Sequence, residues 1–141
     1  MERVKAFLKR KQVVISVQTY LIDALGAMAF GLFASLLIGT IFGTLGEKTG
    51  VVIFTTIAGY AKSATGAALG VSIAYALKAP TLVLFSAATV GIAGNELGGP
   101  VGALVATIIA AELGKIVSKE TKIDIIVTPA VTISIGVLLS L

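Results

Sequence analysis

The chain has 141 residues, of which 57% are apolar and 13% are charged, whereas an ordinary soluble domain carries about 25% charged residues. Its mean hydropathy is +1.05, so a soluble fold of this size would expose far more apolar surface than soluble monomers tolerate. The composition therefore predicts a lipid-embedded, all-α membrane protein with about five transmembrane or partly re-entrant helices, in a single domain over residues 1–141.

Cysteine and histidine are both absent. This excludes disulfides, thiolate or imidazole metal sites, and cysteine or histidine nucleophiles. No Gly-rich loop with the spacing of a phosphate cradle is present either, which argues against an ATPase. We therefore expect no enzyme activity, no metal and no cofactor.

The first 19 residues are predicted to form a basic amphipathic helix on the membrane surface, because apolar residues recur at helical spacing among Arg3, Lys9 and Arg10. A disordered basic tail is the alternative. Clustered basic charge suits an anionic lipid surface better than a nucleic acid, so the bilayer is an expected partner and nucleic acid is not. Residues 20–141 are predicted to form the transmembrane helices.

The first span is predicted over residues 24–46, which carry no charge and reach about 34 Å at about 1.5 Å per residue. Asp23 opens this span, either as a helix cap or, more weakly, as part of a solute site. Small residues recur at every fourth position and predict a smooth packing face; they are Ala27, Gly31, Ser35, Gly39 and Gly43.

The second apolar region, residues 49–77, follows a short turn and is interrupted only by Lys62. In one straight helix the Lys62 ammonium would lie near the bilayer centre, where it would face protein or water. Alternatively the helix breaks near Gly59 and Lys62 lies at an interface. Gly66 and Gly70 repeat the small-residue packing pattern.

Residues 79–95 and 97–111 are two uncharged stretches, each short for a full crossing. Between them Asn95 and Glu96 precede a Gly-Gly-Pro turn, and Gly102 begins another small-residue face. Either both stretches cross the membrane and Glu96 lies in an extracellular turn, or they form a re-entrant hairpin. In a re-entrant hairpin the polar residues would line a cavity at a broken helix.

Charged residues return from Glu112 to Asp124, which predicts a solvated loop or surface helix, and residues 125–141 are an uncharged last span. With five crossings and a cytoplasmic N-terminus, nine of the eleven basic residues lie inside and only Lys48 lies outside. The positive-inside rule therefore favours this orientation.

Several blocks of the sequence resemble a known family. They are residues 13–16, 20–29 and 31–35, the Lys-Ala-Pro at 78–80, the Leu-Gly-Gly-Pro at 97–100, and the stretches 114–122 and 125–130. The chain resembles the EIIC-like integral membrane family of the bacterial phosphotransferase system, in its N-terminal portion. The resemblance implies a bacterial inner membrane, carbohydrate uptake, and one half of a longer transporter. Better-known sugar EIIC domains use a membrane histidine with a glutamate; because histidine is absent here, no catalytic residue is carried over.

The sequence thus predicts a transporter subunit of the EIIC-like type, which moves a small polar solute through a cavity formed with a second half or another copy. The candidate solute-binding residues are Lys62, Asn95, Glu96 and, more weakly, Asp23. The alternative is a non-transporting scaffold or regulatory partner that packs by its Gly-rich helix faces and presents the N-terminal helix and the basic segment 112–124 to a cytoplasmic protein.

Overall fold

The computed structural model describes residues 22–118 and 124–141, together with Arg3 and Ala6. Apart from Arg3 and Ala6, the predicted N-terminal amphipathic helix lies outside the described residues. Regular structure in the described part is entirely helical, which confirms the all-α fold class. The five helices are α1 (Ala24–Thr49), α2 (Val52–Ser63), α3 (Thr65–Ala76), α4 (Thr81–Val117) and α5 (Asp124–Ser140).

Helix α1 is long and apolar enough to cross a membrane, and it contains one π-helical segment at Phe33–Leu37. It ends at Gly50, whose φ of 72° is the left-handed conformation that glycine adopts without steric penalty. Helix α2 then runs back along the second half of α1. The tight turn predicted between the first two apolar regions is therefore present.

The second apolar region is two helices rather than one. Helix α2 ends at Ser63 and α3 begins at Thr65, with Ala64 between them at φ −82° and ψ −3°. The expectation of one straight helix through Lys62 is thus wrong, and the break lies five residues beyond the suggested position, Gly59. Helix α3 packs against the first half of α1 and against α4.

Helix α4 folds back on itself at Gly99. Gly99 has φ 68° and ψ −167°, a conformation essentially restricted to glycine, and Pro100 opens the next helical turn. A Cβ added at Gly114 would lie 3.1 Å from both Cγ atoms of Val83, although a straight helix would separate these residues by about 46 Å. The two short apolar stretches therefore form a helical hairpin, with a first arm over residues 81–98 and a second arm over 100–117.

One end of the bundle, here called the base, is closed by an apolar cluster. It contains Ala24 of α1, Leu77 after α3, and Val83 and Ala111 from the two arms of α4. The opposite end of the hairpin, at Gly98 and Gly99, is here called the tip. Helix α5 packs along α4 and completes the described fold.

Candidate functional site

Helices α3 and α4 cross at glycines, where their backbones touch. A Cβ added at Gly66 would lie 2.7 Å from the Cα of Ile92, and one added at Gly91 would lie 2.7 Å from the Cα of Gly70. Backbone cannot move aside as the end of a flexible side chain can, so larger residues here would push the helices apart. The crossing therefore sets the register of α3 against the first arm of α4.

That register brings Lys62 and Glu96 to the same level of the bundle. The two helices run antiparallel on either side of the connection at 77–80, and Gly66 faces Ile92. One helical turn further from the connection, four residues along each segment, are Lys62 and Glu96. Neither side chain forms an ion pair with another described residue. The fold thus aligns the two charges without joining them.

The tip of α4 stops short of the far end of α1. The first arm extends about 27 Å from the base, whereas α1, which begins at the same end, extends about 39 Å. Ala24 and Val83 lie in one apolar cluster, so both lengths start from the same level. The turn at Gly99 is therefore about 12 Å short of the turn between α1 and α2.

Lys62 lies in the last turn of α2, directly before the break at Ala64. Lys62 is exposed, but the aliphatic stem of its side chain lies along α1. A Cβ added at Gly39 would be 2.7 Å from the Lys62 Cγ. A Cβ at Gly43 would be 3.8 Å from Nζ. Two small residues of α1 thus form a groove for the stem and leave the ammonium group accessible.

Asn95 and Glu96 lie in the last turn of the first arm, next to the tip. Asn95 is half-buried and Glu96 is exposed. The second arm begins only four residues after Glu96, so the positive end of its helix dipole lies at the same place. The tip therefore combines a carboxylate, an amide and a helix N-terminus.

Thr65 is a polar residue of this region that sequence reasoning missed. It is the first residue of α3, its exposed fraction is 6%, and its hydroxyl has no hydrogen-bond partner among the described residues. A buried hydroxyl normally has a partner. The signal in the sequence was weak, because a threonine within an apolar run ordinarily bonds a carbonyl of its own helix.

Asp23 is not brought to this region. It lies at the base, next to Ala24, about 22 Å along the bundle from the level of Glu96. Its carboxylate is exposed and makes no capping hydrogen bond to α1. The capping alternative is therefore wrong, because helical geometry already includes residues 22 and 23.

The small-residue faces are occupied within the chain. A Cβ added at Gly31 would lie 2.7 Å from the Ser72 hydroxyl of α3, and one at Gly102 would lie 2.7 Å from the Gly94 carbonyl oxygen of the other arm. Ser35 is buried and donates to the carbonyl of Gly31. Residues at the predicted packing positions of α1, α3 and α4 thus face other helices of this chain; these are Gly31, Gly39, Gly43, Gly66, Gly70 and Gly102.

A second ionic set lies at the base. Lys115 Nζ is 2.7 Å from Glu112 Oε1 and donates a hydrogen bond of 2.7 Å to the Leu77 carbonyl. Lys115 has an exposed fraction of 2% and Glu112 of 8%. The expectation of a solvated segment beginning at Glu112 is therefore wrong for these residues, because α4 continues to Val117 and packs them against α3. Residues 119–123 of that segment lie outside the described part.

Within the described residues no three acidic side chains come together as a metal site would require. Comparison with known families gave one finding: residues 22–141 match the sequence model of the family described as "Phosphotransferase system, EIIC". The match begins at α1 and includes every described helix. Searches of curated proteins and of solved structures gave no match.

Proposed function

Because the chain belongs to the phosphotransferase system EIIC family, we propose that it is a transporter subunit that moves a small polar solute, with sugars as the leading class. EIIC proteins are membrane transporter components of that system. The observation that carries the proposal is that Lys62 and Glu96 lie at the same level of the bundle. Lys62 is at a helix break, and Glu96 is beside the hairpin tip. Interrupted helices that meet within the membrane are the usual form of solute sites in secondary transporters.

The proposed site consists of Lys62, Thr65, Asn95 and Glu96. An ammonium, a hydroxyl, an amide and a carboxylate together donate and accept the hydrogen bonds that a polyhydroxylated solute offers. Charged groups inside a membrane are unfavourable by about 2.5–3.5 kcal/mol at a helix centre unless they face protein or water. A water-filled cavity accounts for both accessible charges.

We propose that the base faces the cytoplasm of a bacterial cell, with the chain crossing the inner membrane several times. Lys78 and Lys115 lie at the base, whereas Lys48 lies at the opposite end, next to the turn after α1. This distribution follows the positive-inside rule. Because the α4 tip ends short of the α1–α2 turn, the hairpin is proposed to re-enter the membrane from the base.

We propose that the cavity is completed by a second transporter half or a second copy, with residues 1–141 as one membrane domain. The level of Lys62 is open on the outside of the described bundle, since Tyr60 and Ser63 are exposed beside it. Polar groups open to the outside at that depth require a protein or water partner.

The glycine contacts count against a scaffold that binds its partner through its Gly-rich faces. A scaffold that binds its partner through Gly-rich faces needs those faces to be free. In the described helices Gly31, Gly39, Gly66 and Gly70 instead meet neighbouring helices of the same chain. These faces are therefore already used for folding.

Uptake of radiolabelled hexoses by cells that express the chain tests the proposal. Lys62→Met and Glu96→Gln are expected to abolish uptake while the protein still inserts in the membrane. Lys48→Met and Glu47→Gln are matched controls, because these exposed residues lie beside the α1–α2 turn. Wild-type uptake by both site variants would remove Lys62 and Glu96 from the mechanism.

A further inference from the structure

We infer that Lys115 is a positioning residue, which ties the second arm of the α4 hairpin to the end of α3 and so, together with the glycine crossing, determines where the hairpin tip lies. Its importance for transport rests on the proposed function, because Asn95 and Glu96 are carried by that tip. Its effect on the position of the tip does not depend on transport.

Lys115 is buried in an apolar environment and is fully engaged there. Its ammonium lies 2.7 Å from Glu112 Oε1 and 2.7 Å from the Leu77 carbonyl oxygen. Leu77 and Ala111 belong to the apolar cluster of the base. A buried ammonium is tolerated only when it is paired and hydrogen-bonded, so both contacts are needed together.

The Leu77 carbonyl is available because of the way α3 ends. The Lys78 and Ala79 amides donate back to the carbonyls of Tyr75 and Ala74, with Lys78 in the left-handed conformation at φ 59°. These two bonds complete a Schellman cap and leave the carbonyl of Leu77 beyond the helix end. A cation at that point also interacts favourably with the negative end of the helix dipole.

The contact joins distant parts of the chain. Lys115 and Leu77 are separated by 38 positions, whereas the hydroxyls of Ser35, Thr40 and Thr44 bond carbonyls four residues back in their own helix. The glycine crossing positions the first arm of α4 on α3. Lys115 attaches the second arm to the opposite end of the same helix, so the hairpin is held to α3 both near the tip, by the first arm, and at the base, by the second arm.

Pulsed electron paramagnetic resonance in liposomes measures the position of the tip directly. The chain has no cysteine, so spin labels can be placed at Leu25→Cys on α1 and Leu97→Cys near the tip, both exposed positions. The double variant Glu112→Leu with Lys115→Met removes both charges and avoids a buried unpaired carboxylate. We expect its distance distribution to shift and to widen by about twofold relative to wild type, because the second arm is released.

Lys78→Met is the matched control, since it removes a lysine from the same end of the bundle and its side chain is exposed. It is expected to keep the wild-type distribution. A second variant, Glu112→Gln with Lys115→Gln, keeps polar groups at the base. A glutamine at position 115 is shorter than lysine and does not reach the Leu77 carbonyl, so the same displacement of the tip is expected.

A wild-type distance distribution in either folded double variant would overturn the inference and leave Lys115 with a role in stability alone. The measurement involves no solute. Failure of the transport proposal would therefore leave this result unaffected.

Discussion

Within the described residues, one lysine–glutamate set lies at the base and another lies near the tip, and the two sets differ in burial and in contact. At the base, Lys115 and Glu112 are one helical turn apart, buried and in contact, with a backbone carbonyl as third partner. Near the tip, Lys62 and Glu96 are on different helices, exposed and level with each other. The comparison separates a buried charge pair within the fold from two accessible charges that we propose bind a solute.

Breaking the base set should have the largest effect on stability. Lys115→Met removes a buried ammonium that contacts the Glu112 carboxylate and the Leu77 carbonyl, and we expect a loss of about 3–5 kcal/mol in the free energy of unfolding. Denaturant titration in detergent micelles, followed by circular dichroism, measures this loss. Lys78→Met should change little, and equal stability of the two variants would contradict the difference in burial.

The glycine crossing that brings Lys62 level with Glu96 is expected to have the next largest effect on stability. Gly91→Ala places a methyl group against the backbone of Gly66 and Gly70, and we expect a loss of about 1–3 kcal/mol. Gly59→Ala is the control, because a Cβ there meets open space. If Gly91→Ala were as stable as Gly59→Ala in the same titration, the register that makes Lys62 and Glu96 level would be unsupported.

Lys62→Met is expected to abolish transport without lowering the free energy of unfolding. Because the lysine is accessible and has no ion pair among the described residues, its removal leaves no buried charge, and we expect no loss in the free energy of unfolding. Hexose uptake should nevertheless be lost. Destabilisation comparable to that of Lys115→Met would show that Lys62 is a structural residue.

The groove for the Lys62 stem offers the narrowest comparison, between two glycines of α1. Gly39→Ala adds a methyl group 2.7 Å from the Lys62 Cγ and 3.3 Å from backbone atoms of Ala58 and Lys62, so α1 and α2 must shift apart, and we expect a loss of about 1–3 kcal/mol in the free energy of unfolding. Uptake should fall because the ammonium is displaced. In Gly43→Ala the nearest contact, to the Ala58 Cβ, is an ordinary 3.7 Å, so its uptake should equal that of wild type.

The helical architecture could be predicted because its determinants are local. The hydrophobic run of α1 and the left-handed turn at Gly50 are visible in the sequence. So is the hairpin turn, since Gly-Gly-Pro combines a residue that tolerates positive φ with one suited to a helix start. A hairpin that crosses twice and one that re-enters both return to the side where they began. The distribution of basic residues therefore could not decide between them.

The contacts of the two ionic sets could not be predicted, because they depend on tertiary register. The break at Ala64 could not be located from the sequence, because residues 62–65 contain neither glycine nor proline, the residues that most strongly interrupt a helix. Lys115 and Glu112 looked like a surface pair one helical turn apart. Their burial depends on how the second arm of α4 docks at the Leu77 carbonyl, 38 residues away in sequence.

The accessibility of the tip to water in intact membranes tests the central claim most directly. In this cysteine-free chain, single cysteines at Ser63 and Glu96 should react with a small, charged thiol reagent. A cysteine at Phe33, on an exposed apolar position of α1, should not react because lipid covers it. Labelling of Phe33→Cys alone, or protection of both Ser63→Cys and Glu96→Cys in folded protein, would contradict a water-filled site between the helix break and the hairpin tip.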